Sequence, residues 1–474
     1  MKNGKLLTDQ QVQDFIVSGY LTVQADYPPA FHEGICKEID AVFDEEGNPG
    51  NNILPRIPDI GRIFEHPSVA GALTSLLGPG YILNPHRHCH VNPPGSKGQS
   101  WHKDCYVRDH NLRHPRFYWL LAFYYPQDTT LDMGPSGLLP GTQFYRTISD
   151  PNPSATREIE AGICGPAGTV ALIHFDSWHR AIQNVSDRKR YMLKFQFARM
   201  QEPTGPTWAH SDPTWSPATN DRNPRVSHDV WNWLRGSKRN EKIDVTPPEF
   251  EEGRPEADRL EAAYQLARAG SSKIPELITS MHQQTLSSID ETTATTPDNA
   301  HGTNPTPGAA ATALATAGSA AIPHLLDATQ NDHWWIRAVA TGILARMGTE
   351  AEEAIPSLWT AVRDDHWWVR RNAAEAFGMI GVYTTELVTE MKKCIKDDDY
   401  RVRRNAAITL AKIGTEADEA VSDISTLLTD ENRYNRFYGT LALRRINTRK
   451  ANQTLLDFLF EARWCASTNS RDMY

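Results

Sequence analysis

Cysteine is scarce: six residues in 474, at positions 36, 89, 105, 164, 394 and 465, with no Cys-x-x-Cys spacing. That excludes the dense disulfide framework of small secreted domains, and reduced thiols are the economical expectation. No run of eighteen apolar residues occurs anywhere, so no membrane-spanning helix is expected. The stretch Met1-Lys-Asn-Gly-Lys-Leu-Leu-Thr8 lacks the apolar core of a signal peptide, and Asp472-Met-Tyr474 is not a peroxisomal Ser-Lys-Leu signal. Basic residues are in deficit as well: 49 Lys and Arg against 58 Asp and Glu give a net charge of −9. This balance argues against a nucleic-acid or anionic-membrane partner. The absences together lead to the expectation of a soluble cytoplasmic protein.

A chain of this length is too long for one ordinary core, and two or more domains are expected. Near the start, Thr8 and Gln11 form the capping box of a helix carrying Val12, Phe15 and Ile16 on one face, which Gly19 stops. From residue 81 the pattern turns to short strands. Tyr81-Ile-Leu83, 86–92, 117–125, Thr169-Val-Ala-Leu-Ile173 and 191–197 are rich in aromatic and branched residues and bounded by Pro, Gly and Asn. Strands of this length and spacing suggest a sandwich or jelly roll. His86, His88, His90 and Asn92 alternate, which places them on one side of a strand. Successive residues on that side lie about 7 Å apart, awkward for one small ion, so a polar lining is favoured over a second metal site.

Three His-x-Asp pairs occur: His102-Lys-Asp104, His174-Phe-Asp176 and His210-Ser-Asp212. Two His and one carboxylate on one face of an octahedron leave three positions open, the arrangement of a non-haem Fe(II) oxygenase. The first pair has His179 about eighty residues on to complete such a face. His210-Ser-Asp212 lies among Pro and Trp with no suitable later His. His174-Phe-Asp176 would need His228, where Val230-Trp-Asn-Trp-Leu-Arg-Gly236 reads as a short helix and turn.

The surroundings of the first pair resemble the phytanoyl-CoA dioxygenase family of Fe(II)/2-oxoglutarate oxygenases over roughly the first half of the chain. The pieces that carry the likeness are Leu7–Val23, then Asn92-Pro-Pro-Gly leading into Trp101-His-Lys-Asp104, and Gly134-Pro-Ser-Gly-Leu-Leu-Pro-Gly-Thr142. Gly165-Pro-Ala-Gly-Thr-Val-Ala-Leu-Ile173, His179, Asn184-Val-Ser186 and Arg190 follow in order. The resemblance implies a double-stranded β-helix, with Fe(II) held by His102, Asp104 and His179. Arg190, eleven residues after His179, would grip the far carboxylate of 2-oxoglutarate, and its planar fork suits that task. His88 falls near the place of a family Gln on 2-oxoglutarate, and Ala181 stands where a hydroxyl residue is frequent; both are departures. Of the aromatic candidates for the pocket, Trp101, Tyr106, Trp119 and Trp178, we count Trp119 with Arg190 and His88 as facing the co-substrate. The implied reaction spends 2-oxoglutarate and O2, releases succinate and CO2, and hydroxylates an unactivated C–H of a small metabolite. Asp104 argues against halogenation. Desaturation, oxidative cyclisation, or a scaffold with a degenerate oxygenase domain are the alternatives.

After a Trp- and Pro-rich connector over 201–256 the period changes to 33 residues. Gly348, Gly381 and Gly414 keep this step, as do Ile336, Val369 and Val402, Asn372 and Asn405, and Arg370, Arg403 and Arg436. The unit Asp365-His-Trp-Trp-Val-Arg-Arg-Asn-Ala-Ala374 resembles HEAT-like repeats of the phycobilisome-lyase type, which implies stacked helix pairs in a solenoid. Two degenerate units precede, since Leu266–Pro275 echoes Leu314–Pro323, and the Thr/Pro/Gly/Ala-rich segment 283–308 between them reads as a mobile insertion. The expected domains are 1–245, an oxygenase domain with its connector, and 246–474, helical repeats. His333-Trp-Trp335 and His366-Trp-Trp368 recur one repeat apart. One Trp of each pair is expected as core, and the other to form an edge that docks onto the oxygenase domain or a second subunit.

Overall fold

The computed structural model describes residues 4–104, 115–145, 160–237, 254–287 and 308–461. The chain divides into two compact units that meet in sequence between about residues 238 and 258.

The first unit holds a five-stranded and a three-stranded sheet. β1 (Tyr20–Gln24), β2 (Ile82–Asn92), β3 (Trp119–Tyr125), β6 (Thr169–His174) and β8 (Arg190–Ala198) form the larger, in the order β1-β6-β3-β8-β2 with every neighbour antiparallel. β4 (Ser136–Leu138), β5 (Ala161–Gly162) and β7 (His179–Ala181) form the smaller, in the order β5-β4-β7. Alternation along the strands divides their side chains between two cores. Leu120, Ala122 and Tyr124 of β3 and Leu193, Phe195 and Phe197 of β8 pack with apolar residues of the helices Asp9–Ser18, Pro29–Glu46, Asp59–Glu65 and Pro67–Leu77. Leu121, Phe123 and Tyr125 point the other way, with Met192, Ala171, Ile173 and Leu138. The capping box at Thr8 and Gln11 is present, and Gly19 closes that helix in the left-handed region. The helices over residues 29–77 were not anticipated from the sequence.

The register of β2 shifts between Leu83 and Arg87, where the Asn84 side chain accepts from the His86 N–H at 3.2 Å. His86 therefore sits at an irregularity. His88, His90 and Asn92 keep strict alternation opposite Lys194, Met192 and Arg190. The His88 and His90 rings lie 4.6 Å apart, closer than the spacing of an ideal strand implies.

In the second unit, helices begin at Trp334, Trp367, Tyr400 and Arg433, 33 residues apart. Each is N-capped by the residue before it: His333, His366, Asp399 and Asn432 accept from the N–H two residues on. A neutral imidazole can do the work of Asp or Asn here, because Nδ1 has a lone pair in reach of the first turn. Buried Ala340, Ala373 and Ala406 let successive helices approach closely. Trp335 and Trp368 are buried, as expected of one Trp in each pair. Trp334 and Trp367 are half-buried, and each packs on the next repeat. The Trp334 ring stacks on His366 at 3.5 Å between centroids, and the Arg401 guanidinium lies 3.3 Å from the centre of Trp367. Of the expected mobile insertion, 283–287 complete the helix Ile274–Ser287, while 288–307 lie outside the described residues. Among the described residues no helix is long and apolar enough to cross a membrane, and Cys36, Cys89, Cys164 and Cys394 are free thiols.

Candidate metal centre

His102 and His179 face each other across an isolated antiparallel bridge closed by two backbone hydrogen bonds of 3.0 Å, His102 N–H to His179 O and the reverse. Their rings lie 4.5 Å apart. Each ring is fixed by its own Nδ1, which donates to a carbonyl two residues earlier: Ser100 O at 2.9 Å for His102, Ser177 O at 3.0 Å for His179. A carbonyl only accepts, so the proton resides on Nδ1 and the Nε2 lone pair is left for a ligand. Asp104 sits one residue beyond the bridge partner's neighbour, with Oδ1 3.6 Å from His179 Nε2. One ligand atom from each of His102, Asp104 and His179 lies within 4.8 Å of the others. Among the described residues, no other group of His, Cys, Asp and Glu is gathered in this way.

Asp104 and His179 are both buried. Burial opposes the charge on Asp104, but Lys194 and His179 outweigh it and hold the carboxyl below the usual carboxylate range. Burial likewise opposes a charge on His179, and Asp104 overrides it and raises its pKa. His102 is lowered, by burial first and then by His179. Two imidazoles fixed by Nδ1–H and one ionised carboxylate are a donor set that suits Fe(II).

Arg190 opens β8, paired with Asn92 of β2. It is 2% exposed, its Nε donates to Gly134 O at 3.0 Å, and its Nη1 makes no hydrogen bond. Asn92 Nδ2 donates to the same Gly134 carbonyl at 2.8 Å. Gly134 is held at φ +65°, and a Cβ there would come within 2.4 Å of Asn92 Nδ2 and Ile182 O, so glycine is needed for this approach. A buried guanidinium nitrogen without an acceptor is costly, and a carboxylate would satisfy it. The residues present thus fit both an iron ion and a dicarboxylate co-substrate.

The other expected contacts are placed less directly. His88 lies opposite Lys194, with its Nε2 3.3 Å from Asn48 Nδ2. His90 has a buried Nε2 without a partner, and burial, then Lys194 and His88, push its pKa down to about 2, so the ring is neutral. Trp119 is half-buried on the metal-side core, edge-on to Phe175. Trp178 donates to Tyr145 O at 3.3 Å and has Lys103 over its ring, while Trp101 lies under Arg180, itself paired with Glu160. Tyr106 lies outside the described residues. Ala181 contributes its backbone to β7, its N–H donating to Gln99 at 3.2 Å.

The two other His-x-Asp pairs do different work. His174 Nδ1 accepts from Asp176 N–H at 3.1 Å, and burial, then Lys103, push the ring down to about 3. His228 is stacked on Trp215. His210 and the backbone of Asp212 both donate to Asp9 at the start of the first helix.

Sequence reasoning overlooked Lys194. Its Nζ donates to Asp104 Oδ2 at 3.0 Å and Oδ1 at 3.2 Å. Counting by twos from Arg190 along a β8 that otherwise reads apolar reaches Lys194 and Gln196, and that was the available signal.

No curated protein sequence matches the chain. Among solved structures, similarity extends to the non-heme alpha-ketoglutarate-dependent carbocyclase SnoK from nogalamycin biosynthesis, at 16% identity over 41% of this chain and 85% of that one, TM-score 0.34. EctD from S. alaskensis with bound Fe is 16% identical over 42% of this chain and 79% of that one, TM-score 0.36. HygX from Streptomyces hygroscopicus with iron bound is 13% identical over 41% and 87%, TM-score 0.35. The family models divide the chain as its two units do: residues 19–192 match phytanoyl-CoA dioxygenase, and 303–378, 358–436 and 388–464 match HEAT repeats.

Proposed function

We propose that residues 1–245 form an Fe(II)/2-oxoglutarate-dependent dioxygenase, its two sheets arranged as a double-stranded β-helix, and that 246–474 form its helical repeat domain. The observation that carries this reading is the gathering of His102, Asp104 and His179 within 4.8 Å, on rings whose Nδ1 atoms are already tied to backbone carbonyls. The match of residues 19–192 to the phytanoyl-CoA dioxygenase family supports it.

In this reading His102, Asp104 and His179 hold the iron, and Arg190 takes the far carboxylate of 2-oxoglutarate. Bound iron with 2-oxoglutarate and O2 supplies an oxidant strong enough for an unactivated C–H, with succinate and CO2 as co-products. The protein binds, orients and excludes water. The Ser100 and Ser177 carbonyls keep both imidazoles in the coordinating tautomer. Arg190 orients the co-substrate by charge and by its fork, with Gly134 O steadying Nε. His88 and Trp119 face the co-substrate, and hydroxylation of a small metabolite is the outcome.

The test is release of succinate from 2-oxoglutarate by the Fe(II)-loaded protein, with and without O2, followed by a screen of metabolite pools for compounds that raise it. Oxygen-dependent succinate release is expected. A protein that binds neither Fe(II) nor 2-oxoglutarate would be a scaffold with a degenerate oxygenase domain.

A further inference from the structure

Strand alternation sends Arg190, Met192, Lys194 and Gln196 of β8 to one face, and Tyr191, Leu193, Phe195 and Phe197 to the other. The second set packs in the helix-covered core, and Met192 in the core on the opposite side. Lys194 is thereby committed to the metal-side face, where it is 3% exposed. It meets the 6% exposed Asp104, donating to Oδ2 at 3.0 Å and Oδ1 at 3.2 Å. Asp104 Oδ1 is also the oxygen that faces His179 Nε2 at 3.6 Å. The ammonium thus spans both carboxylate oxygens, and Oδ1 is the one that also faces His179.

That difference has a consequence for coordination. A carboxylate binding through one oxygen fills one position on the ion, and through both oxygens it fills two. Only the first leaves three positions, two for chelation by 2-oxoglutarate and one for O2. We propose that Lys194 is a positioning residue which, by clamping the Asp104 carboxylate with Oδ1 turned toward His179, confines Asp104 to one-oxygen binding and keeps room for the co-substrate. The proposal rests on the Fe(II)/2-oxoglutarate reading of the site. It also fixes a sign. The ammonium shares Asp104 with the incoming ion and repels it, so Lys194 weakens metal binding while it favours co-substrate binding. A lysine serving only the fold would support both.

The experiment measures two affinities on the full chain. Co(II) binding to the metal-free protein is followed by calorimetry. 2-Oxoglutarate binding to the Fe(II)-loaded protein is followed anaerobically by the visible charge-transfer band. If the native protein binds no Co(II) and shows no such band, the underlying reading fails, whatever Lys194 does. If it does both, Lys194→Met is expected to bind Co(II) at least as tightly as the native protein. Its affinity for 2-oxoglutarate should fall tenfold or more, and Lys194→Arg should recover most of that loss. A fall in both affinities together, or no change in either, overturns the proposal. Should Lys194→Met not fold, Lys194→Gln decides, since its amide donates without charge: tighter Co(II) binding with 2-oxoglutarate binding retained supports the role, and loss of either overturns it.

Discussion

Arg370 and Asp397 join one repeat to the next through a two-point ion pair, Nε to Oδ2 at 2.8 Å and Nη2 to Oδ1 at 2.9 Å. Nη1 of the same guanidinium donates to the Asp364 and Asp365 carbonyls at the start of its own helix. Arg337 with Asp364 and Arg403 with Asp430 repeat the arrangement. One arginine therefore serves a helix entry and a repeat junction at once. Arg370→Met should cost about 1.5–3 kcal/mol, the worth of hydrogen bonds to a charged group. Arg370→Lys should recover little, because an ammonium cannot make the fork. Urea unfolding of the three proteins checks both statements, and equal midpoints would show that the junction does not depend on this pair.

His102→Ala should lose metal binding and turnover while keeping the fold, since its ring is half-exposed at a bridge outside the main sheet. Asp104→Ala should lose the same functions and also remove the carboxylate that the buried Lys194 ammonium pairs with. Breaking a buried pair by removing one partner costs up to about 3–5 kcal/mol, so this variant should be the less stable of the two. Metal content by atomic absorption and thermal midpoints together decide. A fully active variant at either position would refute the ligand assignment.

Replacement of Arg190 by Met removes the guanidinium whose Nη1 awaits an acceptor. The KM for 2-oxoglutarate should rise steeply, as loss of one partner of a desolvated charge pair costs about 2–5 kcal/mol. Metal affinity should be unchanged, because the hydrogen bond of Arg190 goes to Gly134 O. An unaltered dependence on 2-oxoglutarate would move the role to Arg188 or Arg180.

Asp9 ties the connector to the first helix, accepting from Trp208 Nε1 and His210 at 2.6 Å each and from the Ser211 and Asp212 N–H groups at 2.8 and 2.9 Å. Burial works against its charge, and these donors outweigh burial and hold the carboxyl well below the usual range. A depressed folded pKa means that the stabilisation is complete above the unfolded value of about 3.9 and is lost as pH falls below it. Asp9→Asn should therefore be less stable than the native protein by about 1.5–3 kcal/mol near neutral pH. The gap should narrow below about pH 4, where the native carboxyl comes to share the neutral form in the unfolded chain. Denaturation midpoints of the two proteins across that interval test the sign.

What the sequence determined by itself was whatever depends on near neighbours or on a period. The Thr8 and Gln11 capping box, the Gly19 stop, the division of strand side chains between two faces, and the 33-residue step of the solenoid all follow from local geometry. So does burial of one Trp in each His-Trp-Trp unit, because adjacent helical residues point about 100° apart. The resemblance singled out His102-Lys-Asp104, and tertiary structure decided that this pair meets a second His. His102 and His179 come together through a backbone bridge between residues 77 apart in number, while the spacing within His174-Phe-Asp176 and His210-Ser-Asp212 is the same. It also decided that Lys194 meets Asp104, that Trp334 and Trp367 are partly covered by the following repeat, and that the irregularity before Arg87 takes His86 out of the row of β2. These outcomes are set by strand register and by the stacking of one helix on the next. Both depend on which distant surfaces bury each other, and no window of neighbouring residues contains that information.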